Sequence, residues 1–208
     1  ISSRPWGKKV PDWKSKVECL GYNLQGSTIE DAAEAIRGFL DSPLIAFDLE
    51  SNSLKPDNRD SRIHSCSVSN GKRTIAFPWK QPAIEAMKDL LLSDVGKIGH
   101  NLKHEHRWIM SKLGITVNNW RWDSMINAHI LDNRRGICGL KFQAFARLGM
   151  PSYDEAIKSY LQPVKPGSHS LNRIEEADLK QVLEYGALDS LLTYKLAGMQ
   201  AEDLGVEL

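Results

Sequence analysis

The spacing of hydrophobic positions changes period several times along this chain. From Ile29 onward, Ala32, Ala33, Ile36, Phe39 and Leu40 recur at helical intervals, with Glu30, Asp31 and Glu34 in the opening turns where the helix dipole favours negative charge. Ser27-Thr28 marks the start and Pro43 the end of a helix predicted to close at 41–43. Leu44-Ile45-Ala46-Phe47 is then continuously apolar, the pattern of a strand covered on both faces, and it runs directly into Asp48-Leu49-Glu50. Segments 62–69 and 73–78 are rich in β-branched and aromatic residues and flank Asn70-Gly71, which predicts a hairpin.

Beyond this three-stranded meander the pattern predicts a helix over 82–92, a buried strand over 95–99, and a helix over 100–113 with Trp108, Ile109 and Leu113 on one face. A strand over 115–122 follows, then a helix capped by Asp123 and running through Leu131. The remainder reads as helical over 139–148, 153–160 and 175–201, with Pro163, Pro166 and Gly167 in the loop between the last two. Such an order gives an α/β domain with a mixed sheet flanked by helices. Residues 1–26 show no clear period and carry five basic side chains against Asp12 and Glu18; they read as an N-terminal basic arm or edge extension to a domain over 27–208.

Composition narrows the class. A chain of 208 residues with 41% hydrophobic and 25% charged residues fits one large domain and excludes collagen-like, disordered and coiled-coil readings. Cys19, Cys66 and Cys138 lack CxxC spacing, which suits a reducing compartment and buried thiols. No apolar stretch reaches membrane-span length, so an intracellular, cytoplasmic location is expected; the start at Ile1 fits a piece of a longer chain. With 27 basic and 26 acidic side chains the formal net charge is +1, so a polyanion must meet a local patch rather than bulk positive charge.

Three constellations carry chemistry. Asp48 and Glu50 stand two apart on a strand end, so both carboxylates point to one side, where a hard cation would relieve their repulsion; a solvated strand end carries the same pattern. Tyr185 and Asp189 are four apart on a helix whose neighbouring positions Leu183, Ala187 and Leu191 pack, and such an acid wants a metal or the phenol as partner. In Gly99-His100-Asn101-Leu102-Lys103-His104-Glu105-His106, a strand feeding a helix start offers backbone amides to a phosphate. The three histidines lack HExxH spacing and make no zinc site.

In this order, Asp48-x-Glu50, Gly99 to Glu105 and Tyr185-x-x-x-Asp189 resemble the three exonuclease motifs of the DEDD superfamily in its tyrosine subclass. The resemblance is nearest to the proofreading 3′→5′ exonuclease domain of family A DNA polymerases and covers 28–208, with support from Trp122-Asp123-Ser124-Met125, Leu140 to Leu148 and Tyr153-Asp154-Glu155. It implies a ribonuclease-H-like fold with a mixed five-stranded sheet, and two-metal phosphodiester hydrolysis with Mg²⁺ or Mn²⁺. Asp48, Glu50 and Asp189 would hold the first metal, Asp48 would bridge to the second, and Tyr185 would orient the attacking water. Leu54 and Asn101 match positions that contact the terminal nucleotides, and Tyr153 an aromatic that flanks the end; His100 and His104 stand within phosphate reach. Single-stranded DNA, 3′ primer ends and a polymerase domain or subunit are the implied partners, in a host cell or from a phage.

One residue departs from that pattern. The second motif usually supplies aspartate, and here Glu105 extends the carboxylate by about 1.5 Å, one C–C bond. Slower or more metal-selective cleavage is expected. Two further readings stay open: an RNA 3′ exonuclease of the RNase D type, and a non-catalytic nucleic-acid-binding module weakened at Glu105.

The charge also divides along the chain. Residues 1–150 hold 22 basic and 16 acidic side chains, residues 151–208 hold 5 and 10. Nine basic residues against Glu105, Asp123 and Asp132 fall within 97–147, a phosphate-facing stretch beside the second motif.

Overall fold

The computed structural model describes residues 12–23, 26–167 and 170–208. Of the basic N-terminal segment, residues 1–11 and 24–25 lie outside the described residues. In chain order the elements are β1 (Glu18–Cys19), α1 (Ile29–Arg37), β2 (Leu44–Ser51), β3 (Ile63–Ser69), β4 (Thr74–Pro78), α2 (Ala83–Leu92), β5 (Gly96–Gly99), α3 (Leu102–Leu113), β6 (Trp120–Asp123), α4 (Ser124–Leu131), α5 (Leu140–Gln143), α6 (Lys158–Leu161) and α7 (Leu179–Leu204). A capping box opens α1, with Thr28 Oγ1 accepting from the Asp31 amide and the Asp31 carboxylate accepting from the Thr28 amide.

Among the described residues the sheet is mixed and has six strands in the order β1-β4-β3-β2-β5-β6, not the five the resemblance implied. The extra strand comes from the N-terminal segment: Glu18 and Cys19 run parallel to β4, and Arg73 clasps Glu18 with two hydrogen bonds. β2, β3 and β4 are antiparallel neighbours, while β5 and β6 run parallel to β2. The β3–β4 turn lies one residue later than the Asn70-Gly71 pair suggests. Asn70 donates its amide to the Arg73 carbonyl, which makes Gly71 the first central residue, at φ +78°.

Side-chain alternation along the central strands divides the domain into layers. Ile45, Phe47 and Leu49 of β2, with Cys66 and Val68 of β3, face one way into a core shared with Ile36, Phe39, Met87, Leu90 and Trp108. The other face of β3 carries only Ser65, Ser67 and Ser69, all buried. These short side chains let α7 lie close, and Ser67 Oγ donates to the Gly186 carbonyl at 2.7 Å.

Several helical and strand boundaries differ from the predicted ones. Pairing of β6 with β5 begins only at Trp120, because Asn119 takes left-handed backbone at φ +54° and breaks the pleat before it. The helix expected over 153–160 is a single turn at Lys158–Leu161, preceded by a turn in which the Asp154 carbonyl accepts from the Ile157 and Lys158 amides. The last helix starts at Leu179, where Asp178 caps it by accepting from the Gln181 amide. α5 continues into one π-helical stretch, Ala144–Leu148, closed by Gly149.

Candidate active site

The end of β2 and the middle of α7 meet over the serine row. Asp48 and Glu50 pair with Ser67 and Ser65 of β3 and share their face. α7 passes so near that a Cβ at Gly186 would sit 3.4 Å from Glu50 Cγ, and one turn on it delivers Asp189. Ligand oxygens of Asp48, Glu50 and Asp189 lie within 4.8 Å of one another.

Acceptor-only groups gathered this closely out of water disfavour their own ionisation. Burial, then Asp189, pushes Asp48 up to about 7. Glu50 is raised well above the usual carboxylate range by burial, then by Asp48 and Asp189. Burial raises Asp189 as well, opposed by the Lys141 charge and by hydrogen bonds from the Tyr153 and Tyr185 phenols. Three hard oxygen donors of like charge suit a divalent cation such as Mg²⁺ or Mn²⁺, which would remove the repulsion that holds these groups protonated. The residues therefore fit a metal centre.

Glu105 approaches from α3 and stands outside this three-carboxylate group. It is 3% exposed, and its Oε2 has no hydrogen-bond partner among the described residues. Burial and then the Asp48 charge raise its pKa. A buried carboxylate oxygen with no donor is an acceptor awaiting a cation or its water, which supports the same fit.

The tyrosines are placed around Asp189. The Tyr153 phenol donates to Asp189 Oδ1, and its ring centroid is 5.8 Å from that of Tyr185. Tyr185 is buried, and its phenol is raised above its ordinary value by burial and by Asp189, Glu50 and Asp48. Lys141, which the motifs do not single out, donates from Nζ to Tyr185 Oη at 2.6 Å. Its ammonium lies 4.7 Å from the Tyr185 ring centroid and 5.7 Å from that of Tyr153. In the sequence it stands in the basic stretch 97–147 and in the supporting segment Leu140 to Leu148, but the 44-residue separation from Tyr185 gives no local pattern that pairs the two.

The remaining candidates surround this centre unevenly. Leu54 is 68% exposed and lines a pocket of about 190 Å³ with Glu50, Ser53, Leu161, Pro163 and Asn172, so an apolar slot opens directly beside the acids. His100 Nδ1 bonds Ser124 Oγ at 2.8 Å, and Ser124 Oγ donates to the Gly99 carbonyl. The serine has one proton, so Nδ1 carries the imidazole hydrogen and the buried Nε2, unpartnered among the described residues, is a bare acceptor. Burial lowers His100 to about 4 and keeps it neutral.

The helix start at Asn101 differs from its expected part. The Asn101 and Leu102 amides, read as a phosphate cradle, both donate to the Asp123 carboxylate at 3.0 Å. Asp123 also caps α4 through the Met125 and Ile126 amides, so one carboxylate closes two helix starts. Asn101 itself takes left-handed backbone at φ +69° and turns the chain into α3. His104 packs beside Trp108 with ring centroids 6.2 Å apart, and burial and then Arg107 lower its pKa.

Comparison with known proteins points the same way. A family model described as 3′–5′ exonuclease matches residues 26–201. No curated protein sequence matches. Among solved structures the chain is similar to Brucella melitensis NrnC with bound Mg²⁺ at 17% identity, covering 91% of this chain and 80% of that one with a TM-score of 0.61. It is similar to Escherichia coli RNase D, an exoribonuclease involved in structured RNA processing, at 15% identity over 91% of this chain and 46% of that one, TM-score 0.60. It is also similar to Pol1 from M. smegmatis in complex with DNA primer-template and dNTP, at 11% identity over 84% and 26%, TM-score 0.58.

Proposed function

This chain belongs to the 3′–5′ exonuclease family, and from that premise we propose that it removes nucleotides from the 3′ end of DNA, at single strands or frayed primer ends, releasing nucleoside monophosphates. One observation carries the reading: a strand and a helix distant in sequence bring Asp48, Glu50 and Asp189 within 4.8 Å. Two divalent cations, Mg²⁺ or Mn²⁺, supply an activated water and neutralise charge on the leaving oxygen in this chemistry. Asp48, Glu50 and Asp189 would hold one of them, and Asp48 with Glu105 the other.

The chain's own groups do the rest. The Tyr185 phenol stays protonated through the working pH range, so it orients the attacking water as a hydrogen-bond donor rather than removing its proton. Leu54 offers an apolar edge on which the terminal base can rest, and the pocket beside Glu50 receives it. Asn101 and the bare Nε2 of His100 flank the terminal nucleotides, with His104 and the Tyr153 ring on the approach. The exonuclease unit takes in 27–208, with the basic segment 1–26 as its extension, and acts in the cytoplasm with proofreading as its role and a polymerase domain or subunit as its partner. Likeness to Pol1 supports that assignment.

A second reading is an RNA 3′ exonuclease, favoured by the likeness to RNase D and to NrnC bound to pGG. Both are tested by digesting matched 3′-labelled DNA and RNA single strands with Mg²⁺ or Mn²⁺, beside Asp48→Ala. Metal-dependent release of labelled mononucleotide, faster from DNA and lost in the variant, is the expected result. Faster release from RNA selects the second reading. Equal degradation by both proteins removes the site assignment, and absence of Mn²⁺ binding in calorimetry together with no release from either strand points to a weakened binding module.

A further inference from the structure

We infer that Lys141 is a positioning residue that fixes the direction of the Tyr185 hydroxyl proton, an inference that rests on the exonuclease reading of the site. An ammonium group has three donors and no acceptor, so the 2.6 Å contact makes Lys141 the donor and Tyr185 Oη the acceptor. With its lone pair so engaged, the phenol has one useful direction left for its own proton, away from Lys141 and toward the side of Asp189, whose carboxylate receives it in the metal-free chain and where the attacking water of the proposed reaction would take its place. Without the ammonium a phenol proton can take either in-plane orientation. The cation also polarises the O–H bond it supports, which strengthens the hydrogen bond Tyr185 gives.

The setting suits this part. Lys141 is exposed as a residue while its Nζ reaches into the site over both tyrosine rings, so the stem crosses open surface to place the head. Helix α5 begins on the preceding residue, and the buried Leu140 and Ala144 lock that turn against Leu188 and Leu191 of α7, the helix that carries Tyr185. Lysine and its acceptor are therefore mounted on two elements packed together.

A double-mutant cycle on the full chain tests this. Lys141→Met should lower kcat for release of nucleotide from a DNA single strand by about ten- to a hundredfold with little change in KM, as expected for a charge-assisted hydrogen bond. In a Tyr185→Phe background the same substitution should change kcat less than about threefold, because the acceptor is gone. Lys141→Arg should recover part of the loss. Metal-free near-ultraviolet difference spectra provide a readout independent of activity. Wild type minus Lys141→Met should show a tyrosine band that is absent when both proteins carry Tyr185→Phe. Equal kcat losses in the two backgrounds, or a tyrosine band that persists without the Tyr185 hydroxyl, would overturn the inference while leaving the exonuclease reading intact. A wild-type chain that releases no nucleotide would overturn both.

Discussion

Tyr153 and Asp189, 36 residues apart, share a hydrogen bond in which the phenol donates to Oδ1 of the carboxylate. A group that holds a metal-binding carboxylate in one rotamer lowers the cost of gathering the ligands. Tyr153→Phe keeps the ring and removes the donor, so Mn²⁺ affinity measured by calorimetry should fall by about tenfold, as for other groups that orient a ligand. Unchanged affinity would mean that Asp189 is held by packing alone.

Glu105 should prove too long for its position. Shortening it by one methylene in Glu105→Asp is expected to raise the rate of nucleotide release, since the pattern this family shares has aspartate there. A fall in rate would show instead that the pocket around this acid is shaped to glutamate and that its ligand role is misassigned.

The buried carboxylates make the metal-free protein sensitive to pH in a definite direction. Burial and its acidic neighbours push Asp48 up to about 7 in the folded chain and raise Glu50 and Glu105 well above the usual carboxylate range, whereas an unfolded carboxylate titrates near 4. Between those limits the folded state binds more protons than the unfolded one, so stability is full below about pH 4 on this account and is lost as pH rises through 7. In chelator, the thermal midpoint at pH 8 should lie on the order of 5 °C below that at pH 5. Adding Mg²⁺ or Mn²⁺ at pH 8 should close the gap, and a metal-free midpoint that rises with pH would contradict the burial of these charges.

Gly186 sets how closely α7 passes β2. An alanine Cβ would make ordinary contact with Glu50 Cγ at 3.4 Å, so Gly186→Ala should fold as well as wild type or gain up to about 1 kcal/mol from helix propensity. The branched Gly186→Val adds two methyl groups toward Glu50 and should abolish nucleotide release while the chain still melts cooperatively. Full activity in Gly186→Val would show that Glu50 is free to move aside.

The fold and the acidic centre were legible because each depends on local rules that the sequence obeys. Leu44 to Phe47 has the continuous apolar pattern of a covered strand, and its alternation carries Asp48 and Glu50 to one face, while the turn from Tyr185 to Asp189 follows from helical spacing. What escaped depends on contacts across the chain. Asp123 was readable as the cap of α4, yet nothing in its neighbourhood tells that Asn101 and Leu102, more than twenty residues earlier, spend their amides on it. Lys141 looked like one basic residue among nine, and only the packing of α5 on α7 brings it to Tyr185. The sixth strand was hidden for a different reason: two residues, Glu18 and Cys19, are too few to show a period.

That short strand has a consequence for handling the protein. β4 would otherwise stand at the sheet margin with a row of free amides and carbonyls, an open template on which a second molecule could add its own chain. β1 fills that margin, and the Leu20 amide extends it by donating to the Ala76 carbonyl at 2.8 Å. Trp13, a few residues earlier, is sunk among Leu140, Leu188 and Leu192, fastening the same segment to the helices behind the acidic centre. A shortened form beginning at residue 27 would bare the margin and empty the tryptophan's seat together, and such a form is expected to be prone to sticking to itself in solution even where Asp48, Glu50 and Asp189 are untouched.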